Sequence, residues 1–324
     1  MDAWQTGLFV ILLLICISYL WQLFVDRMSM PIEIDYNEGF TNQEEINESK
    51  ASRFEWLTGD EVYDDFYMQV HHKIFQHEKL VQAECAIALQ DWKKRIPVKD
   101  MFVLDVACGS GVGATYFAKH GVASAVGIDK SPSAIRYAKN TILPVSTLDP
   151  KQKDSLEFKV NDIYNPSACT QSEFTHSILP YFSVYGFRDL DTVFRNLYFW
   201  TKPGGSMVIE CVNRDKFDPI PNVANPFVGA SLQTHAKQRV TKGEAVFDKF
   251  NYSSDFDLHE SKAEYKETFR FKDGTVRRQK QILYMPTMKE IVSMAQNAGW
   301  IYDKFSDLSM IGFDYGYLLF FNKA

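Results

Sequence analysis

Residues 103–114 read Val103-Leu104-Asp105-Val106-Ala107-Cys108-Gly109-Ser110-Gly111-Val112-Gly113-Ala114. The start of this run has the pattern of a buried strand, and it passes without a break into a glycine turn and then into a helical pattern. Gly109, Gly111 and Gly113 carry no Cβ, so backbone can approach a bound group closely, and the following helix aims its free N–H groups at that group. Asp105 stands four residues before the first glycine, where its carboxylate can meet a cationic or hydroxyl-bearing part of a ligand. The stretch therefore reads as a nucleotide cradle at the carboxyl end of a strand.

Working outward, Val112 to Lys119 predicts a helix and Ser124 to Ile128 a second buried strand closed by Asp129. An acid about 20 residues past the first glycine is where ribose hydroxyls are held in nucleotide folds. Ser131 caps the next helix with Pro132 at its first position. A third strand, Leu156 to Val160, ends in Asn161-Asp162, and Asp162 is either a turn cap or a ligand contact. Thr175 to Phe182 is the fourth strand, with Leu179-Pro180-Tyr181 at its exit. Asp189 starts a helix through Val193, Phe194, Leu197 and Trp200, stopped by Lys202-Pro203-Gly204-Gly205, and Ser206 to Cys211 is the fifth strand. Upstream, helical spacing over 61–95 gives two helices. This alternation predicts an α/β fold with a doubly wound, mostly parallel sheet.

After the fifth strand the period changes. Tyr265, Glu267, Phe269 and Phe271 alternate with Lys266, Thr268 and Arg270, and Asp273-Gly274 turns the run back into Val276 to Tyr284. Residues 213–286 thus form an antiparallel β insertion of the kind that covers a pocket. Thr287-x-x-Glu290 is a capping box for a helix ended by Gly299, and two strands follow, near 301–305 and 317–322.

Taken in this order, residues 61–324 resemble the class I, seven-stranded S-adenosylmethionine-dependent methyltransferases. The glycine motif with Asp105, the acid at Asp129, Asp162 after the third strand, the Lys-Pro-Gly-Gly turn and the closing hairpin carry the resemblance. A nicotinamide dehydrogenase shares the glycine pattern but needs a full second substrate domain. The resemblance implies S-adenosylmethionine as cofactor. It implies that backbone from Ala107 through Cys108, Gly109 and Ser110 to Gly111 lies against the methionine and ribose portion, with Asp105 toward the amino group. Asp129 would hold the ribose hydroxyls, Lys130 would flank the adenine, Asp162 would take its amino group and Ile163 would cover a face. Leu179 and Tyr181 would border the sulfonium and the acceptor.

No catalytic triad is visible, and the chemistry explains why. A sulfonium is already an activated methyl donor, so transfer needs chiefly an acceptor held in line, and a base only where the acceptor must lose a proton. Tyr181, Tyr185, Tyr63 and the histidines are the candidates for that role.

The remaining features bound the partners. A net charge of −6 and the lack of a dense basic tract argue against a nucleic-acid ligand. The five cysteines have no metal or disulfide spacing, so no metal is expected. Residues 7–25 are uncharged and about the ~20 residues a membrane-spanning helix needs. Residues 1–27 are therefore expected to be a transmembrane anchor and 28–60 an acidic tether. Asp2 before the span and Arg27 after it place the catalytic domain on the cytosolic side. Anchor and aromatic lid together point to a small-molecule or lipid-like acceptor. Two alternatives stand: a membrane-tethered docking protein without activity, and an RNA cap-type methyltransferase. The sequence carries no signal for oligomeric state.

Overall fold

The computed structural model describes residues 56–221, 233 and 238–324, all within one compact unit. Twelve described strands fall into two sheets. The larger is built from β2 (Phe102–Val106), β3 (Ser124–Asp129), β4 (Leu156–Val160), β5 (Phe174–Leu179), β6 (Thr201–Val212), β11 (Ile301–Asp307) and β12 (Gly316–Asn322), in the order β11-β12-β6-β5-β2-β3-β4. Pairing from β6 through to β4 is parallel, and β12 runs against both of its neighbours. The sheet is thus seven-stranded and mostly parallel, with its order reversing beside β2, where ligands bind in such folds.

Helices cover both faces, because every central strand is buried on both sides and mostly apolar. On one face Val103, Ile178, Val208 and Leu318 pack with Val81, Cys85 and Trp92 of α2 (Glu78–Trp92) and Phe117 of α3 (Val112–Lys119). On the other, Leu104, Leu179 and Ile209 pack with Val193, Phe194 and Leu197 of α5 (Leu190–Trp200) and Ile291 of α6 (Met288–Asn297). Between β3 and β4 runs α4 (Pro132–Tyr137), capped by Ser131, whose hydroxyl accepts the Ala134 N–H. Thr287 and Glu290 close the expected capping box on α6.

The second sheet holds β1 (Leu57–Thr58), β7 (Lys242–Val246), β8 (Phe250–His259), β9 (Lys262–Phe271) and β10 (Val276–Tyr284), in the order β1-β10-β9-β8-β7. The hairpin read from period-two alternation is β9 and β10, with Gly274 in the left-handed region at the turn. Two further strands, β7 and β8, extend it. Its fifth strand comes from the opposite end of the chain: Leu57 and Thr58, inside the segment expected to be tether, pair in parallel with Gln279 and Lys280. The inner face docks on α1 (Asp65–Phe75), where Phe66, Tyr67, Val70 and Ile74 meet Phe250, Tyr252 and Phe269.

Two local expectations change. The fourth strand stops at Leu179 and not at Phe182, because Pro180 has no N–H for the ladder and Tyr181 and Phe182 take φ values of 42° and 57°. The Lys-Pro-Gly-Gly run lies within β6, which starts directly after α5 at Thr201. The apolar span 7–25 lies outside the described residues. Among those described, no helix is long and apolar enough to cross a membrane.

Candidate functional site: a glycine cradle under an aromatic lid

The cradle forms where β2 turns into α3. Ala107, Gly109 and Gly111 have φ values of 51°, 52° and 80°, so the backbone coils tightly, and the Gly111 N–H closes the turn on the Cys108 carbonyl at 2.8 Å. Each glycine has its own reason. A Cβ at Gly111 would stand 2.4 Å from the Phe158 ring, and one at Gly113 would stand 2.6 Å from Asp105 Oδ2. At Gly109 the same construction meets nothing within 4 Å, so this residue faces open space. That space is where a ligand can lie against bare backbone.

Two carboxylates shape the cradle, in different ways. Asp105 is buried beneath the turn, where Oδ2 accepts the Ala114 N–H at 2.8 Å and Oδ1 has no partner. Burial pushes its carboxyl up to about 7, against the pull of that hydrogen bond. Asp129 is half-buried at the end of β3. Its Oδ2 accepts the Gly109 N–H at 2.9 Å and its Oδ1 accepts the Ser131 N–H at 2.8 Å. Each oxygen keeps a lone pair, so the carboxylate is fixed in orientation yet able to accept two hydroxyl groups. Cys108 is buried, near Gly127 and Phe158, and Ser110 is buried in the turn.

The other sequence-derived residues scatter around this centre. Lys130 is exposed and paired with Asp60. Asp162 is exposed and caps a turn, its Oδ1 accepting the Tyr164 N–H at 2.9 Å. Ile163 and Leu179 are buried in the core that packs against α5. Tyr63 lies beside Asp129. Its hydroxyl donates to Gln281 of the lid at 2.6 Å, its carbonyl accepts from Ser131, and burial and the Asp129 charge raise its pKa. Tyr185 does not join the group: it is fully buried, and its hydroxyl accepts the Val212 N–H at 2.7 Å, which ties it to β6. Tyr181 does. Its ring stacks on His77 with centroids 4.6 Å apart.

From Tyr181 an aromatic wall runs toward the lid through Phe182, Phe217 and Phe256, with neighbouring centroids 5.3–5.8 Å apart. On the other side His71 packs on Phe75 at 4.6 Å and on His77 at 4.9 Å, and Phe75 reaches Tyr265 of the lid. Burial lowers the His71 imidazole to about 3, so it is neutral at pH 7. The inner face of the lid is polar where it meets α1. Glu267, fully buried, accepts from Tyr67, Tyr252 and Gln279 at 2.7–2.8 Å. Sequence reasoning passed over Glu267 as a bond-making group and missed Gln279 and Gln281. Their signal was present, since a buried face that alternates Tyr265, Glu267 and Phe269 places a carboxylate among rings, where it must be paired.

Residues 97–285, more than half of the 324-residue chain, match the family described as methyltransferase domain. The chain belongs to this family. S-adenosylmethionine is the cofactor of this methyltransferase domain, and the cradle fits it: bare backbone at Gly109 and a twice-anchored Asp129 are what a ribose and a methionyl chain require. Phosphoethanolamine N-methyltransferase 3 of Arabidopsis thaliana is 32% identical over 126 residues, covering 38% of this chain and 23% of the relative. EEF1A lysine methyltransferase 2 of Mus musculus is 40% identical over 75 residues, covering 23% of this chain and 28% of the relative. The matched segments thus span about a quarter of these relatives' length. In fold, the chain is similar to the CcbJ methyltransferase from Streptomyces caelestis, with a TM-score of 0.60 at 13% identity over 81% of this chain and 98% of that one.

Proposed function

We propose that the protein transfers the methyl group of S-adenosylmethionine to a small acceptor enclosed between the carboxyl edge of the large sheet and the five-stranded lid. The observation that carries this reading is the open face of Gly109 beside an Asp129 carboxylate held by two backbone N–H groups. Backbone from Ala107 to Gly111 binds the methionine and ribose portion, Asp129 accepts the ribose hydroxyls, and Lys130, Asp162 and Ile163 border the adenine. Bound there, the cofactor supplies an activated methyl group on a sulfonium. The protein's own share is then to orient the acceptor and to exclude water, which the rings from Tyr181 to Phe256 and the docked lid support.

The acceptor is proposed to be an amine or a lipid-like molecule bearing one. Two relatives are named for phosphoethanolamine and for a lysine. Buried, neutral His71 at the aromatic rim can hydrogen-bond an amine that enters in its neutral form, but the burial that keeps it neutral leaves it too weak a base to deprotonate an ammonium. Residues 7–25 are proposed to anchor the domain at the cytosolic side of a membrane, which would bring a lipid-borne amine within reach.

A transfer assay with labelled S-adenosylmethionine tests the reading against phosphoethanolamine, amine-headgroup lipids in vesicles, a protein lysate and capped RNA. Label in a small or lipid amine is expected. Label confined to protein or RNA would sink the small-acceptor reading, and a folded protein that fails to bind S-adenosylhomocysteine in calorimetry would leave only the docking role.

A further inference from the structure

Glu84 on the inner face of α2 and Glu210 near the end of β6 come from distant parts of the chain and meet beneath one turn. Both are fully buried. Glu84 Oε2 accepts the Tyr181 N–H at 3.1 Å, and Glu210 Oε2 accepts the next N–H, that of Phe182, at 2.6 Å. Tyr181 and Phe182 are, among the described residues, the two consecutive non-glycine residues in the left-handed region, a conformation that strains bulky side chains. Two buried acceptors aimed at adjacent N–H groups oppose that strain.

The second oxygen of each glutamate, Oε1, is buried with no partner. Two ionised carboxylates in one dry site repel, and neither can donate to the other. A proton on either carboxyl removes the repulsion and gives that group a donor.

We propose that Glu84 and Glu210 are positioning residues that share one proton and clamp the Tyr181–Phe182 turn, holding the Tyr181 ring against His77 at the rim of the acceptor space. This rests on the reading that Tyr181 borders the site of methyl transfer. The titratable groups facing the pair are Asp105 of β2, Cys85 of α2, Cys211 of β6, and Tyr181 and Tyr185 of the turn. None of these is a cation that could neutralise two charges. Burial raises the Glu84 carboxyl, with the Glu210 charge and then Asp105 adding to it against the Tyr181 N–H. Burial pushes Glu210 up to about 8, against the Phe182 N–H.

Between the ordinary value of 4.5 and about 8, the folded protein keeps a proton that the unfolded chain has released, so stability falls as pH rises through this window. Glu210→Gln keeps the shape and an acceptor oxygen but removes the shared charge. The test is thermal unfolding of the full chain at about pH 5 and about pH 8.5, with amide hydrogen exchange across residues 178–186 at a single pH. The wild-type drop in Tm across that interval should shrink in Glu210→Gln, the remainder belonging to Glu84, Asp105, Asp129 and Glu267, whose carboxyls burial also raises. Exchange at Tyr181 and Phe182 should quicken by about tenfold or more in Glu210→Ala while Glu210→Gln restores most of the protection. An unchanged Tm drop in Glu210→Gln, or unchanged exchange in a folded Glu210→Ala, overturns the clamp. Loss of S-adenosylhomocysteine binding by the wild-type protein would instead overturn the cofactor reading, leaving these results standing.

Discussion

On the proposed reading, the cradle half and the lid half of this molecule would solve the same problem, holding a ligand, with opposite materials. The cradle at the β2–α3 turn is made of backbone: three positive-φ residues within five positions, and N–H groups that fix Asp129. The lid is made of side chains from two stretches far apart in sequence, Tyr63 and Tyr67 from the first helix region and Tyr252, Glu267, Gln279 and Gln281 from the consecutive strands β8, β9 and β10. A backbone cradle tolerates almost no change at a few positions. A side-chain network spreads its cost, and it can be altered to suit a different acceptor while the cradle stays the same.

The sharpest way to break this comparison is Gly111→Val. Its Cβ would collide with the Phe158 ring at a backbone angle that side chains rarely adopt. Overpacking and strain together should cost about 4 kcal/mol in urea unfolding and abolish S-adenosylhomocysteine binding. A variant that binds normally would show that the turn is not the cradle. Next is Glu267→Ala, which leaves two tyrosine hydroxyls and two glutamine amides without their buried acceptor. A stability loss of about 3 kcal/mol is expected, larger than any loss of cofactor affinity. If calorimetry finds affinity falling further than stability, the division into two halves is wrong. Asp129→Ala should do the reverse, weakening S-adenosylhomocysteine binding by about 1–3 kcal/mol with a smaller change in unfolding. Unchanged affinity would mean the ribose is held elsewhere. The smallest effect belongs to Lys130→Ala at the exposed pair with Asp60, where unfolding should shift by no more than about 0.5 kcal/mol.

The same contrast explains what could be read from the sequence. The cradle was legible because its logic is local: only glycine satisfies φ of 80° with a ring 2.4 Å from the missing Cβ, and the acid that closes the next strand lies a fixed distance along the chain. The parallel strands were legible because burial on both faces leaves continuous apolar runs. What sequence order hid was pairing over long separations. The β1 strand is two residues long and carries no period, so nothing marked Leu57–Thr58 as part of the lid. Strands β7 and β8 sit beyond a Pro- and Asn-rich stretch; β7 is short, whereas β8 does carry the period, with Phe250, Tyr252 and Phe256 facing inward. Glu84 and Glu210 left a fainter trace. Each is a single charge in an otherwise apolar setting, Glu210 within the run from Met207 to Val212 and Glu84 between Val81 and Cys85. Tyr185 illustrates the opposite error: a tyrosine near the acceptor loop in sequence proved to be a core residue, because the 3-10 turn Ser183–Gly186 swings it under β6.

The two-residue strand β1 also sets an order of assembly. Leu57 pairs with Gln279, 222 positions later, so the lid cannot close at this edge until nearly all of the chain has been made and β8 to β10 have formed. Closing so long a loop for so few hydrogen bonds returns little free energy, which makes this edge the last to zip and the first to fray. Leu57 and Thr58 are therefore the weakest seam of the five-stranded sheet, and a force applied at Leu57 would open that edge before it reached the cradle.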